Sequence, residues 1–474
     1  MPNVPRHLED IAPGTSLLPI PFCLSLFACL FFTVTIALDA KVFRGTFTLP
    51  AWLSVGNIDD ARALLSALLG AVSTVLALIF SVSLLVFSAA ATQFGPRLMH
   101  RFLRDRTMQI ALGLFIATFF HVLLTFIAVR QHGADQFVPQ LTIMTTCALV
   151  MISFASLVLF NNKIATSIQT NNVLPGILED LQTVVTQRSY SIAQQAKRTN
   201  EIPQNPGPLQ LRDVAELQKL SARDGAVVRS VISGFVQVIH FERMASETAQ
   251  AKVVVSLLFR PGQFVGQGET IARVLPAQCV KALGPSVIGA VKLGRHRNLE
   301  QDLEFAIAQL VEIALRALSP AINDTYTALY CIDWLGEAIR GLADLPEQTG
   351  IWSSEDGKVS ILFPPLQFRD IVKTAFDLLR QASIGNAAVK VHLLHTWSRL
   401  APDLTNPIQS QSLLEQAQAV WETSSQETMA AVDRADIKLA YDSSVELLSA
   451  FLKEEGHLKN ATLPMAACDR SDHA

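Results

Sequence analysis

The densest cluster of polar side chains in the sequence lies between residues 295 and 324, and its residue types are suited to binding an anion. It begins with Arg295-His296-Arg297-Asn298. Neighbouring guanidinium groups are suited to a phosphate or a lipid head group. The alternative is a solvated turn followed by ordinary acidic residues at a helix start, and composition favours that alternative. The candidate residues are Arg295, Arg297, Gln301, Asp302, Glu304, Asn323 and Asp324.

A second group of residues recurs at helical spacing within a long apolar segment. Its members are small or weakly polar and lie three, four or seven residues apart: Ser66, Gly70, Ser73, Ala77, Ser81 and Ser88. In a membrane helix such a stripe lets a second helix approach closely. The other interpretation is that the stripe lines a water-filled pathway in an oligomer. The pattern favours packing over a pore.

One ionisable side chain, His121, lies near the middle of an apolar segment. Carriers that couple transport to ions usually place several charged groups at membrane depth. A lone histidine there favours a hydrogen bond to a neighbouring helix over a proton relay.

Motifs that would indicate an enzyme, a metal site or nucleic-acid binding are missing from the sequence. It contains no CxxC, HExxH, P-loop or GxSxG. His392 and His395 lie on one helical face without a carboxylate or cysteine at ligand spacing, so we expect no metal there. The six cysteines have no framework spacing, and the net charge of −3 does not indicate a nucleic-acid partner. Enzyme activity therefore has no positive support.

Charge is distributed unevenly along the 474 residues. Residues 1–162 hold 16 charged side chains, whereas residues 163–474 hold 63. Four charge-free runs exceed the roughly 20 residues that an α-helix needs to cross a bilayer. They are Leu17–Leu38, Ala63–Phe94, Thr107–Val129 and Gln136–Asn162. The sequence thus predicts four transmembrane helices and a lipid bilayer as partner.

Basic residues near the predicted spans indicate the orientation. Four arginines lie between the second and third spans: Arg97, Arg101, Arg104 and Arg106. Because short cytoplasmic loops are enriched in Lys and Arg, we expect this loop and both termini to be cytoplasmic.

The sequence predicts an α+β region for the rest of the chain. The Pro- and Gly-containing run at 202–208 predicts a linker. Val- and Ile-rich segments predict strands at Ala226–Val231, Phe235–His240, Lys252–Phe259 and Thr270–Leu275, with a further strand around Ser286–Lys292. The turn at 260–269 is similar to half of a lipoyl-like domain, yet no exposed lysine hairpin accompanies it, so we expect no covalent cofactor.

Helical periodicity dominates the remainder, including Leu299–Leu318 and Thr325–Ala343. The predicted fold is an α-helical membrane domain plus a cytoplasmic α+β region, with a small β module and a helical C-terminal part. The predicted boundaries are 1–162 for the spans, 163–210 for a connector, 211–295 for the β module, 296–455 for the helices and 456–474 for a disordered tail.

Two segments, "RPGQFVGQGE" and "QDLEFAIAQLVEIALRALSPAINDTYTALYCIDWLG", resemble an uncharacterised family of predicted bacterial membrane proteins, domain of unknown function 2254. The resemblance extends over roughly residues 15–455. It implies a multi-pass protein of the bacterial inner membrane and no established activity. Two functions follow as hypotheses: an oligomeric, channel-like conduit with a cytoplasmic sensing domain that responds to a small ion or an anionic ligand, or a membrane-anchored scaffold, sensor or unrecognised enzyme.

Overall fold

The structure, a computed structural model, describes residues 19–43, 57–94, 105–132, 135–167, 173–186, 211–345, 348, 350–353 and 359–454. Contacts divide the chain into two units, residues 1–173 and 174–474. Three predictions lie outside the described residues: the linker at 202–208, the disordered tail at 456–474, and the loop positions of Arg97, Arg101 and Arg104.

Four long apolar helices dominate the first unit. They are α1 (Pro19–Phe43), α2 (Ile58–Phe94), α3 (Arg106–Ala128) and α4 (Gln140–Ser167). Each contains a stretch of 23 residues or more that is long and apolar enough to cross a membrane. The prediction of four apolar helices of membrane-spanning length is confirmed.

Helix α3 lies at the centre of this unit because it packs against α1, α2 and α4. Phe115 and Val122 of α3 share a buried cluster with Leu65 and Ile79 of α2. The outer surfaces of the helices carry exposed large apolar side chains, as helices in contact with lipid require.

The helix ends differ from the predicted ones. Helix α1 continues five residues beyond the predicted end at Leu38 and so includes Asp39. Between α3 and α4 the chain forms a short antiparallel hairpin, β1 (Arg130–His132) with β2 (Asp135–Phe137).

Helix α5 (173–186) begins at the boundary between the units, and the second unit continues with α6 (Leu211–Asp224) into the β module. The strands of the module are β3 (Ala226–Arg229), β4 (Gly234–Ile239), β5 (Val254–Leu257), β6 (Phe264–Val265), β7 (Thr270–Leu275), β8 (Val291–Gly294), β9 (Ile351–Ser353) and β10 (Val359–Leu362). One sheet has the order β3-β7-β5-β10-β9 and the other has the order β6-β4-β8. One core cluster contains Val236 of β4 and Val255 of β5.

Two helices lie within this module. Helix α7 (Phe241–Ala251) joins β4 to β5 and buries Met244 and Ala245. Helix α8 (Val280–Gly289) occupies the first four residues of the strand predicted around Ser286–Lys292, so the strand, β8, begins only at Val291 and the predicted start was wrong. Leu283 and Val287, one helical turn apart, are both buried, so helical spacing rather than alternation governs this apolar run. The module is therefore a mixed α+β unit.

The last part of the chain is a bundle of helices. They are α9 (Leu303–Ala317), α10 (Thr325–Ala343), α11 (Phe368–Ala382), α12 (Ala387–Leu400), α13 (Pro407–Gln426) and α14 (Ala431–Glu454). Helix α9 packs against α10 and α11, and α14 packs against α12 and α13. The prediction that the chain after the four spans is an α+β region is confirmed. Helix Thr325–Ala343 and strand Thr270–Leu275 match their predicted bounds.

Candidate functional site

The candidate residues between 297 and 304 meet the turn at 260–263 where the β module adjoins α9. Asp302 is the N-cap of α9 and accepts a hydrogen bond from the backbone N of Phe305 at 3.1 Å. Arg297 donates to both carboxylate oxygens of Asp302, from Nε at 2.7 Å and from Nη2 at 2.8 Å. The Arg297 guanidinium is therefore already held by a carboxylate of its own chain.

Gly262 packs directly onto the Asp302 carboxylate. A Cβ at this position would lie 2.2 Å from Asp302 Oδ2, and the backbone φ of Gly262 is +90°. Both the contact and the conformation require glycine. The turn sequence Arg260-Pro261-Gly262 is thus fitted to the cap of α9.

Arg260 supplies the second ion pair of this region. Its Nη2 lies 3.1 Å from Glu304 Oε2, and its Nη1 lies 3.3 Å from Asp370 Oδ2 in the first turn of α11. The hydroxyl of Thr374 also donates to Glu304, at 3.1 Å. One guanidinium therefore links the β module to two helices of the bundle.

Gln301 completes the connection through its amide group. Its Oε1 accepts from the backbone N of Ile239 at 2.9 Å, and its Nε2 donates to the carbonyl of Ile239 at 3.2 Å. We call Arg260, Gly262, Arg297, Gln301, Asp302 and Glu304 the β–helix joint. Its charged groups are paired within the chain, so this region is neither an open anion site nor a solvated turn.

Burial dominates the electrostatics of Asp302, whose side chain is 1% exposed. Loss of water around the carboxylate raises the pKa of Asp302, and the hydrogen bonds and charge of Arg297 offset that effect only in part. The residues packed around Asp302 therefore keep its ion pair with Arg297 away from water.

Other members of the predicted cluster lie apart from the joint. Arg295 is exposed in the turn after β8. Asp324 caps α10 and accepts from the backbone N of Thr327 at 3.1 Å, and Asn323 adopts a left-handed conformation with φ 49°. The 15 residues of α9, about 22 Å of helix, separate that corner from Asp302. Among the described residues no arginine pairs with Asp324, whose carboxylate accepts from the amide and the hydroxyl of Thr327.

In the membrane unit, the stripe of α2 faces away from the other three helices. Ser66, Gly70, Ala77, Ser81 and Ser88 are exposed and Ser73 is half-buried. A Cβ added to Gly70 would meet nothing within 4 Å. The opposite side of α2 carries the residues that pack into the bundle: Ala61, Leu65, Val72, Ile79, Val86 and Ala90. The stripe therefore does not serve packing within one copy of the chain.

His121 is fully buried between helices, as the favoured interpretation expects. Its Nδ1 lies 3.1 Å from the hydroxyl of Thr146 on α4. Sequence reasoning missed a second ionisable group nearby, because Asp39 follows the predicted end of the first span by a single residue. Asp39 is 3% exposed and accepts from the backbone N of Leu141 at 2.9 Å. The helix continues past the apolar run, and extending the predicted span by one turn would have included Asp39.

No group of three or more potential metal ligands occurs within the part of the chain that the structure describes. His392 instead lies 3.0 Å from Asp333, which also accepts from Arg399 at 2.6 Å. This is a surface network between α10 and α12.

Comparison with known proteins agrees with this architecture. A family described as a predicted membrane protein (DUF2254) matches residues 14–398. The chain belongs to this family. Similar proteins include the uncharacterized proteins Rv1290c of Mycobacterium tuberculosis and Mb1321c of Mycobacterium bovis. Each is 25% identical over 404 residues, which is 83% of this chain and 74% of the relative. No solved structure matches the chain.

Family membership confirms the resemblance and shows that the similarity to the family model ends at residue 398. The matched residues contain the four spans, the β module and the β–helix joint, whereas α13 and α14 lie beyond residue 398. The chain is a DUF2254 membrane protein with four candidate spans.

Proposed function

We propose that this protein is an oligomeric, channel-like conduit of the bacterial inner membrane with a cytoplasmic sensing domain. The observation that carries the proposal is the outward orientation of the small-residue stripe on α2. A single copy leaves Gly70 and four neighbouring stripe positions uncovered. Small residues gain nothing from contact with lipid, but they allow the backbone of a second copy to come close.

The serines of the stripe give it the chemistry of a pathway lining. Ser73 donates its hydroxyl proton to the carbonyl of Leu69 at 2.6 Å, and Ser81 donates to the carbonyl of Ala77 at 3.0 Å. Each hydroxyl has one proton, so the outward-facing part of these oxygens can only accept. A lining of this kind suits water or a small cation better than an anion.

Leu84 lies on the same stripe, three residues after Ser81 and four before Ser88, and is 71% exposed. A ring of leucines between serines forms a hydrophobic constriction, a recognised way to gate conduction by dewetting. In this proposal Leu84 is the narrowest point of the conduit.

The orientation rests on the basic residues at one end of the spans. Arg106 begins α3, and Lys163 of α4 lies 3.6 Å from Asp105, the N-cap of α3. Together with the arginines of the preceding loop, they favour a cytoplasmic position for this end. That position places both termini and the second unit in the cytoplasm.

A sensing role for the second unit is supported by the β–helix joint, because a few ion pairs there connect the β module to helices α9 and α11. The same feature supports the alternative, a membrane-anchored scaffold, sensor or unrecognised enzyme. In that alternative the stripe of α2 contacts only lipid or serves dimerisation without a pathway.

Disulfide cross-linking combined with ion flux separates the two. In a background with the native cysteines replaced, we expect Ala77→Cys to cross-link copies of the chain in native membranes. The matched control Leu78→Cys is equally placed in depth and also exposed, but lies off the stripe, and should not cross-link.

The purified protein in liposomes should then pass small cations faster than protein-free liposomes do, and Leu84→Ser should increase that flux. Cross-linking without flux would favour the anchored scaffold. Equal cross-linking at positions 77 and 78 would contradict the stripe as an interface.

A further inference from the structure

A row of buried polar side chains crosses much of the membrane unit between α1, α3 and α4. We call it the polar seam, and its members are each at most 3% exposed: Asp39, Thr118, His121, Thr125, Thr142, Thr146 and Ser153. Thr118 and Ser153 join α3 to α4 at 2.7 Å. From Thr142 to Ser153 the seam follows α4 for about 16 Å, roughly half of the hydrocarbon core.

The hydroxyl groups around His121 determine which nitrogen carries its proton. Thr125 lies 2.7 Å from the carbonyl of His121, and Thr146 lies 2.7 Å from the carbonyl of Thr142. A hydroxyl that donates its single proton to a carbonyl, or to the neighbouring hydroxyl 3.1 Å away, can only accept from the imidazole. This arrangement favours the tautomer with the hydrogen on Nδ1, which lies 3.1 Å from the hydroxyl of Thr146.

The other nitrogen, Nε2, is buried and has no hydrogen-bond partner. Phe31 and Phe32 of α1 lie against the imidazole, with ring centroids 5.7 Å and 6.0 Å from it. Neither phenyl ring offers a hydrogen-bond acceptor equivalent to water. The surroundings of Nε2 are therefore built for the unprotonated nitrogen of a neutral imidazole.

Charged groups of the four helices lie away from this level. One end of the spans carries Asp39, Lys41, Asp59, Asp60 and Arg62, and the other carries Asp105, Arg106 and Lys163. The other titratable side chains of the spans are the thiols of Cys23 and Cys29 on α1 and of Cys147 on α4. The nearest carboxylate along the seam, Asp39, is held by Thr142, at 2.8 Å from its backbone N. A positive charge at His121 would thus lack an adjacent counter-ion.

We propose that His121 is an acid-operated switch of the membrane unit. The polar seam binds the neutral imidazole. A proton from water that binds at Nε2 converts it to an imidazolium. The new N–H at Nε2 then has no hydrogen-bond acceptor. The charged form can be satisfied only if α1 moves away from α3 and admits water. Acid therefore loosens the contact between these helices. This inference does not depend on the conduit along α2.

Hydrogen–deuterium exchange of the full-length protein in nanodiscs tests the switch. We expect amides of α1 around Phe31 and Phe32, after correction for the intrinsic rate, to exchange about tenfold faster at pH 4 than at pH 7.5. His121→Gln can still bond to Thr146 but takes up no proton, so its exchange should not change. His395→Gln, which alters an exposed histidine of α12, should respond as the wild type does.

Equal exchange of the wild-type α1 at both pH values would overturn the proposal, as would an unchanged response in His121→Gln. Where His121→Gln does not fold, the wild-type pattern alone decides the matter. A response confined to residues 174–474 contradicts the switch, and a response centred on α1 and α3 supports it.

Discussion

Asp39 of α1 caps the helix to which Thr142 belongs, 103 positions further along the chain. Its Oδ2 accepts from the backbone N of Thr142 at 2.8 Å and from the hydroxyl of the same residue at 2.5 Å. A carboxylate at a helix N-terminus satisfies amides that the helix itself leaves free. The first span and the last are thereby joined at one end of the membrane unit.

Removing this cap should destabilise the membrane unit. Asp39→Ala leaves the amides of Leu141 and Thr142 without this acceptor, and the loss costs about 1–3 kcal/mol at Thr142, which is fully buried. We expect the melting temperature in detergent micelles to fall by several degrees. Asp59→Ala, at an exposed carboxylate of α2, is the control and should leave it nearly unchanged. Equal losses in the two variants would contradict a stabilising cap.

Two glycines of the same loop region provide a matched test of the β–helix joint. Gly262 and Gly268 both have positive φ, but only Gly262 faces Asp302, and a Cβ at Gly268 meets nothing within 4 Å. Gly268→Ala should cost about 1–2 kcal/mol of unfolding free energy through backbone strain alone. Gly262→Ala should cost about 1–3 kcal/mol more, because the added methyl group clashes with the cap. Tryptophan fluorescence during urea unfolding measures both, since four of the five tryptophans lie in the second unit.

The buried carboxyl of Asp302 gives the stability of the second unit a specific pH dependence. Because burial raises the pKa of Asp302, the folded protein binds this proton more tightly than the unfolded chain does. Such a group adds stability at low pH and loses it as the pH rises through the raised pKa. Relative to Asp302→Asn, which does not titrate, the wild type should therefore lose stability as the pH rises from about 4.

Urea unfolding of both proteins between pH 4 and pH 8 measures this difference. At pH values well above the raised pKa the difference should become constant. A wild type that gains stability over Asp302→Asn with rising pH would show that the Arg297 ion pair outweighs the burial of Asp302.

The corner between α9 and α10 tests whether Asp324 acts only as a cap. Asp324 accepts from both the amide and the hydroxyl of Thr327. Asparagine is an equally good N-cap, so Asp324→Asn should change stability little, whereas Asp324→Ala should cost about 0.5–2 kcal/mol. Thermal unfolding compares them. A strong loss in Asp324→Asn would indicate that the negative charge has a role beyond the cap.

Much of the fold could be predicted from the sequence because its strongest signals are local. The four apolar runs are long enough that few other structures explain them. Thr325–Ala343 was predicted to the residue because Pro320 and Asp324 separate it from the preceding helix. The strand predicted around Ser286–Lys292 begins five residues later, at Val291, because a short apolar run fits both a strand and a buried helix.

The candidate sites could be predicted only in part because their geometry depends on distant residues. Arg297, Gln301, Asp302 and Glu304 were selected correctly as a polar cluster, but no local pattern connects them to Arg260, 44 residues before Glu304. Pairing of that kind depends on how the β module adjoins α9. For the same reason the sequence did not show that Arg297 forms an internal ion pair with Asp302 while Arg295 is exposed.

Strand β10 is an interior strand of its sheet, parallel to β5 and between β5 and β9, although it follows α9 and α10 in the chain. Its Ile361 is fully buried in the core of the β module. During synthesis, β5 therefore keeps an open edge until the ribosome has released about 100 further residues, the separation between Val255 and Ile361. The β module and the first two helices of the bundle must complete folding together, and a fragment that ends near residue 295 would expose a strand edge to other chains.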